Sequence, residues 1–326
     1  MIIKLDTSVV SASGIVGSRE HEGPLGDRFD EWSGDDRFEQ DTWEKAESEM
    51  QRRAFGIAMK RGEVREEDID ALFAGDLLNQ CVGSAYGLSE FKIPYFGLYG
   101  ACSTCAEGLI LASAMTSAAY CRYAAAVTSS HYCSAERQYR TPLEYGAQRS
   151  PTAQRTVTGA GAFIVGQGGK IKIKEALGGT VTDLGVNDTS NMGAAMAPAA
   201  LSTLLRYFSE SGKDADDFDL IVTGDLGFEG GDILRRLAAA EGVDLSQNYN
   251  DCGMMIFDRE RQDVHSGGSG CGCSASVLAC EIIPKMLDSV YRDVLFIGTG
   301  AMMSPSSINQ GFSIPAVAHL VRLCRA

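Results

Sequence analysis

The chain has 326 residues, enough for one large domain or two halves of about 150 residues each, and its 44% hydrophobic and 22% charged content is that of a folded globular protein. A formal net charge of −14 argues against nucleic acid and anionic membrane as direct partners, so an anionic ligand would need its own local cations. No apolar run reaches the length of a membrane span. Ten cysteines behind a Met1-Ile2-Ile3-Lys4 start, which has no signal-peptide pattern, read as reduced thiols of a cytoplasmic protein rather than a disulfide framework.

Residues 2–16 contain a strand followed by Ser/Gly turns. The acidic loop after it, to Asp41, has the length of a lid or a dimer contact. From Thr42 to Arg61 apolar and small residues (Trp43, Ala46, Met50, Ala54, Ile57) recur at helical spacing, with Asp41 or Thr42 to cap the helix. Asp68-Ile69-Asp70 leads into the strand Ala71–Ala74, which ends in Gly75-Asp76-Leu77, and Ile93–Leu98 reads as a short apolar strand. Thr104 to Ala119 is rich in Ala, Leu and Met with Glu107 its one charge, the composition of a helix packed on nearly every side.

Between that strand and helix, Gly100-Ala101-Cys102-Ser103 forms a tight turn with room for a ligand. A cysteine there meets the first unpaired N–H groups of the helix, which predicts a stabilised thiolate and a lowered pKa. The plainer alternative is a small buried apolar side chain.

The strand Ala124–Thr128 is followed by Ser129–Arg155, a loop with Arg137, Arg140, Arg149 and Arg155 against Glu136 and Glu144, a net of +2 in an acidic chain. Its arginines interleave with His131, Tyr132, Tyr139 and Tyr145, a composition suited either to solvated surface or to a carboxylate ligand. Thr158–Ala162 then enters the strand Phe163–Val165. Val186–Ala200 reads as a flexible, Met-rich connection over the pocket, with Ser190 or Asn191 capping a helix over Ala199–Ser209.

Three patterns repeat in the same order. Asp68-Ile69-Asp70 with Gly75-Asp76-Leu77 returns as Asp217-Phe218-Asp219 with Gly224-Asp225-Leu226. The Cys102 turn and its helix return as Gly267–Ser274 with the helix Ala275–Leu287, and Ala124–Thr128 as Val294–Gly298. The chain therefore reads as two copies of one α/β unit, the first ending near Val165 and the second starting near Lys170.

Two such halves, a cysteine in an ACS turn and a later TGAGA strand entry resemble the thiolase fold, the last element being similar to the DGAGA stretch of β-ketoacyl synthase III. Within that superfamily FAGDLLNQ (73–80), YGACST (99–104), TSSHYCSAERQYRTPLEYG (128–146), VTGAGA (157–162), DLGVNDTSNMGAAMAPAA (183–200), NDCGMMIFD (250–258) and SGGSGCGCSA (266–275) resemble the stage V sporulation protein AD family. The resemblance covers nearly the whole chain. It implies a five-layer αβαβα fold of two pseudo-symmetric halves, 1–165 (with 129–155 as a cap loop) and 166–326, assembled as a homodimer. It implies a sporulation and germination protein that binds dipicolinic acid (pyridine-2,6-dicarboxylate), alone or as its calcium chelate. The family acts with the other stage V A-operon proteins, held peripherally at the inner spore membrane by membrane-embedded partners.

A thiolase-like condensing site needs a thiolate, a histidine and a second histidine or asparagine, with N–H donors for the oxyanion. Cys102 stands at the nucleophile position. Laid on the family's strands, the histidine falls on Asp225 and the asparagine on Ser269, neither of which supplies the same chemistry. The expectation is a non-catalytic binder with Cys102 as a vestigial floor. Arg137 or Arg140 with His131 would pair with carboxylates, Tyr145 would offer a ring face, and Asp76, Asn79, Asp225 and Ser269 would complete the site. Asp76 and Asp225 read equally well as helix caps. No resident cofactor is expected, and any calcium would be carried in with the ligand. Cys102-x-x-Cys105 with Cys271-x-Cys273 would give four thiolates for zinc or an iron–sulfur cluster, but residues three apart at a helix start need not converge. The competing readings are an active acyltransferase using Cys102 and a pure scaffold of a membrane-associated complex.

Overall fold

The computed structural model describes residues 1–139 and 149–326. The first half runs β1 (Ile3–Gly17), α1 (Trp43–Gly62), β2 (Ile69–Gly75), β3 (Tyr95–Gly97), α2 (Thr104–Ser117), β4 (Tyr123–Ser130), α3 (Tyr132–Tyr139) and β5 (Gly159–Gly166). The second runs β6 (Ile171–Leu177), α4 (Met192–Ser211), β7 (Leu220–Thr223), α5 (Gly227–Ala240), β8 (Tyr249–Asp251), α6 (Cys271–Val277, continued by a π-turn and a last helical turn to Leu287), β9 (Asp293–Ala301) and β10 (Ala316–Arg325).

Strand order makes the repeat visible. Reading from β3, the sheet runs β3-β2-β4-β5-β1 and then β6-β10-β9-β7-β8, so the two halves mirror one another about the β1–β6 pair. β2, β3 and β4 pair in parallel, as do β7, β8 and β9, while β5, β1, β6 and β10 pair antiparallel. The parallel strands are buried on both faces, which is why Ala71–Ala74 and Leu220–Thr223 are continuous apolar runs rather than alternating ones.

Five layers result. α2 and α6 lie between the two half-sheets: α2 touches β4 and β2 on one side and β9 and β10 on the other, and α6 touches β5 and β4. Leu109, Phe163, Val277 and Phe296 fill this middle layer. α1 covers the outer face of β1 and β5 through Met50, Ala54, Phe55 and Ala58, and α4 with α5 covers the second half-sheet. The charge-poor run 104–117 is thus a helix with sheet on two sides.

Local chemistry sets the ends of these elements. Thr42 caps α1 by accepting the Lys45 N–H at 3.3 Å. Asn191 caps α4 by accepting the Ala194 N–H at 3.2 Å, so that helix starts at Met192 and not at Ala199. Pro198 lies inside it, and the proline that suggests an irregular connection is outweighed by burial of Ala195, Met196, Ala197, Ala199 and Ala200. The connection expected over 186–200 is therefore half helix. Ser129–Arg155 likewise is not all loop, since Tyr132–Tyr139 is helical.

The middle layer depends on two glycines. A Cβ on Gly161 of β5 would lie 2.6 Å from the Ala275 Cβ and carbonyl carbon of α6, and one on Gly298 of β9 would lie 2.6 Å from the Ala106 Cβ of α2. Both would force helix and sheet apart. Gly161→Ala is expected to destabilise the fold by about 1–3 kcal/mol, read as a lower urea midpoint at constant m-value. An unchanged midpoint would show that the helix has room to move.

Candidate functional site

The site lies where the two halves meet, at the carboxyl ends of their parallel strands. β3 hands over to a single 3-10 turn, Ala101–Ser103, before α2. Ala101 takes φ 51°, a left-handed conformation unusual for a residue with a Cβ, and this sharp turn presents Cys102 towards the opposite half. From that half, residues 268–269 pair in parallel with residues 155–156 as a two-stranded ribbon, which brings Ser269 and Thr156 to the same place.

Cys102 is 6% exposed. Its Sγ lies 3.6 Å from the Ser269 Oγ, which donates to Asp225 Oδ2 at 3.3 Å. The serine has one proton and gives it to the carboxylate, so the thiol is the donor in the first contact. Asp225 is also held by the Gly270 N–H at 3.3 Å and the Thr299 hydroxyl at 2.6 Å. Burial raises the Asp225 carboxyl to about 6, against the pull of these hydrogen bonds. The Cys102 thiol is pushed far above the usual thiol range, first by burial and then by the Asp225 charge. The lowered pKa expected from the helix start is thus reversed. Burial beside a carboxylate outweighs a few backbone dipoles.

A cavity of about 120 Å³ opens in front of the thiol. At roughly 15 Å³ per enclosed water it has the capacity of about eight waters, the scale of one small acid. Its walls come from Leu77 after β2, from Ala135, Glu136 and Tyr139 on one face of α3, from Gln154 and Thr156, and from Thr189, Met192 and Met303 across the mouth. The Met-rich 186–200 segment does border the cavity.

The other expected site residues are placed differently. Asp76 is fully buried and accepts from the Leu78 N–H at 2.8 Å and from the Ser84 N–H and hydroxyl at 2.7 and 2.6 Å. It closes the turn after β2 and faces Glu47, which is held by the Ser129 and Ser134 hydroxyls at 2.9 and 2.7 Å. Burial raises both carboxyls, and Asp76 raises Glu47 further. Asp76 is therefore a cap and not a wall residue. Its counterpart Asp225 does not cap, because Asp251 of β8 takes the Leu226 and Gly227 N–H groups at 2.8 and 2.9 Å. That frees Asp225 to turn towards Cys102.

His131 is fully buried away from the cavity. Its Nδ1 accepts the Cys133 N–H at 3.2 Å, so Nε2 carries the proton and donates to the Asp36 carbonyl at 2.9 Å. Both ring nitrogens are used, and burial lowers the ring's pKa. Arg137 is 53% exposed on the far side of α3 and pairs with Glu44. Asn79 lies outside the cavity, accepting from the Tyr99 hydroxyl at 3.2 Å. Arg140 and Tyr145 fall outside the described residues.

Among the described residues no three His, Cys, Asp or Glu groups converge on a metal position. The Cys271 thiol instead donates to the Ser129 carbonyl at 2.9 Å. The sequence names Tyr139 only as part of the 129–155 loop, and it does not point to Gln154 or Thr156 as cavity residues. The i, i+3 and i, i+4 spacing of Glu136, Tyr139 and Ala135, and the i, i+2 spacing of Gln154 and Thr156, are the patterns that mark one helix face and one strand face.

The family model for Stage V sporulation protein AD (SpoVAD) matches residues 1–324. The chain belongs to the SpoVAD family. It is 41% identical over 319 residues to Stage V sporulation protein AD of Bacillus subtilis (strain 168), covering 98% of this chain and 94% of that protein. Its fold is thiolase-like. A solved variant of Xanthomonas campestris OleA aligns with a TM-score of 0.64 at 14% identity, covering 98% of each chain. The 3-oxoacyl-[acyl-carrier-protein] synthase III of Aquifex aeolicus VF5 aligns at 0.58 and 11% identity, over 98% of this chain and 99% of that one. The family assignment places the chain in sporulation, and these two structural likenesses bear on the fold alone.

The electrostatic account of Cys102 has a direct check. Asp225→Asn removes the charge beside the thiol and is expected to speed iodoacetamide labelling of Cys102 near neutral pH, by about tenfold for each pKa unit released. Peptide mass spectrometry would read the rate, and equal rates in variant and parent would show that Asp225 does not hold the thiol neutral.

Proposed function

We propose that this protein is a non-catalytic receptor for a small aromatic dicarboxylic acid, dipicolinic acid, taken up into the developing spore. The observation that carries the reading is the Cys102–Ser269–Asp225 chain. A condensing enzyme needs a thiolate and neutral or cationic donors around the substrate carbonyl. Here a protonated thiol is backed by a hydroxyl and a buried carboxyl, which bind but do not transfer. Membership of a sporulation family supports the ligand class, and the size of the cavity accommodates one such molecule.

Among the described residues no lysine or arginine lines the cavity, so the ligand's carboxylates are better neutralised by a chelated calcium ion or by protons than carried in as a bare dianion. Among the described residues no helix is long and apolar enough to cross a membrane. Attachment at the inner spore membrane would therefore run through the other stage V A-operon proteins.

Titration calorimetry with dipicolinate, with and without calcium, is expected to show saturable binding. Ala135→Trp, which fills the cavity, should abolish it, and Cys102→Ala, which removes the thiol from the cavity wall, should weaken it. No heat at millimolar ligand in either condition would end this reading, and a stable acyl adduct on Cys102 after incubation with acyl-CoA would restore the enzyme.

The same reading includes a homodimer formed through the sheet edge. β3 ends the ladder with Tyr95 and Phe96 exposed by 39% and 48%, an open strand with aromatic side chains. Light scattering is expected to give twice the chain mass for the parent and the single-chain mass for Phe96→Glu. A parent that scatters as a single chain would dismiss the dimer.

A further inference from the structure

The polar side chains around the cavity in front of Cys102 are mostly committed to the protein itself. The Cys102 thiol donates to Ser269, the Ser269 hydroxyl to Asp225, and the Tyr139 hydroxyl to the Leu77 carbonyl at 2.7 Å. The two amide protons of Gln154 go to the Asp225 and Gly268 carbonyls. Thr156 is the exception. It lines the cavity, is half-buried, and uses its hydroxyl in no hydrogen bond among the described residues. Nor does that oxygen belong to the fully enclosed polar atoms that lack a partner, so it keeps open surface.

Local geometry places that surface. Residues 155–156 pair in parallel with 268–269, and alternation along the strand puts Thr156 on the same side as Gln154. Arg155, between them, turns the other way, its guanidinium 3.7 Å from the centre of the Tyr132 ring. The Thr156 methyl lies towards Gly270, where a Cβ would come within 3.6 Å of it. With the methyl against the protein, the hydroxyl takes the open direction. Thr189, the other threonine of the lining, stands exposed at the mouth.

We infer that the Thr156 hydroxyl is a specificity-determining donor of this cavity, giving its proton to a carboxyl oxygen of the bound acid. The inference rests on the small-acid reading above and deepens it. Each carboxyl has two oxygens, so the one left over in a calcium chelate and the carbonyl oxygen of a protonated acid both accept such a bond. Thr156 therefore serves either form of the ligand without the positive charge that the wall lacks. A ligand with an apolar group at that point would shut the hydroxyl away from water without a partner.

Two substitutions separate the hydroxyl from the shape of the side chain. Thr156→Val keeps the outline and removes the hydroxyl, and Thr156→Ser keeps the hydroxyl and removes the methyl. Titration calorimetry is run at one fixed pH with dipicolinate, in saturating calcium and in chelator, on variants with an unchanged melting profile. In each condition where the parent binds, Thr156→Val is expected to weaken binding by at least about tenfold, and Thr156→Ser to stay within about threefold of the parent. Should the valine variant not fold, Thr156→Ala removes the hydroxyl without a branched side chain and carries the same expectation. Equal affinity of the parent and a folded hydroxyl-free variant, or an equal loss in the valine and serine variants, overturns the role of Thr156 while leaving the receptor reading in place. A parent protein that binds dipicolinate in neither condition overturns the receptor reading, and this inference falls with it.

Discussion

The structure depends on how closely two helices can lie between two half-sheets. α2 and α6 share one layer, and Gly161 and Gly298 let the strands of both halves reach them at backbone distance. That approach puts the turn before α2 opposite the turn before α6. Cys102 from one half and Ser269 from the other thereby come within 3.6 Å, although 167 residues separate them in the chain. A wider layer would leave two unrelated half-domains with no cavity between them.

Within that frame, the chemistry of the site follows from what sits behind the thiol. In a water-excluded position a thiolate needs a compensating positive charge or strong donors. The nearest titratable group is instead Asp225, itself raised to about 6 by burial, and the hydroxyl between them passes hydrogen bonds towards the carboxylate. Nucleophile activation is thus disfavoured by the same contacts that keep the wall ordered. The outcome is a thiol held neutral beside a carboxyl, an arrangement poorly matched to moving a carbonyl through a tetrahedral intermediate.

The two aspartates at equivalent strand ends show how a repeat diverges in use. Asp76 and Asp225 share the Gly-Asp-Leu setting, and neither sequence nor strand position separates them. In the second half Asp251 satisfies the first N–H groups of α5, which releases Asp225; in the first half Asp76 stays engaged with Leu78 and Ser84. A third residue, distant in sequence, decided which of the two faces the thiol.

The sequence by itself determined the two-fold α/β repeat, most of the strands and helices and the position of the Cys102 turn, while Asp225 and Ser269 are matched to it only through the family resemblance. The first three are carried by local pattern: apolar runs, the repeated Gly-Asp-Leu ends and small residues at turns, each of which acts over a few residues. Only the tertiary structure decided which way the described side chains of the 129–155 segment point. His131 and Arg137 lie on the wrong sides of α3 and its entry to meet a ligand, whereas Gln154 and Tyr139, with no charge to mark them, border the cavity. It also reversed the expected ionisation of Cys102. The physical reason is common to both: orientation and desolvation are set by neighbours far away in sequence, such as Asp36 for His131 and Ser269 for Cys102, and a pKa responds to the whole of that surrounding rather than to the helix that follows.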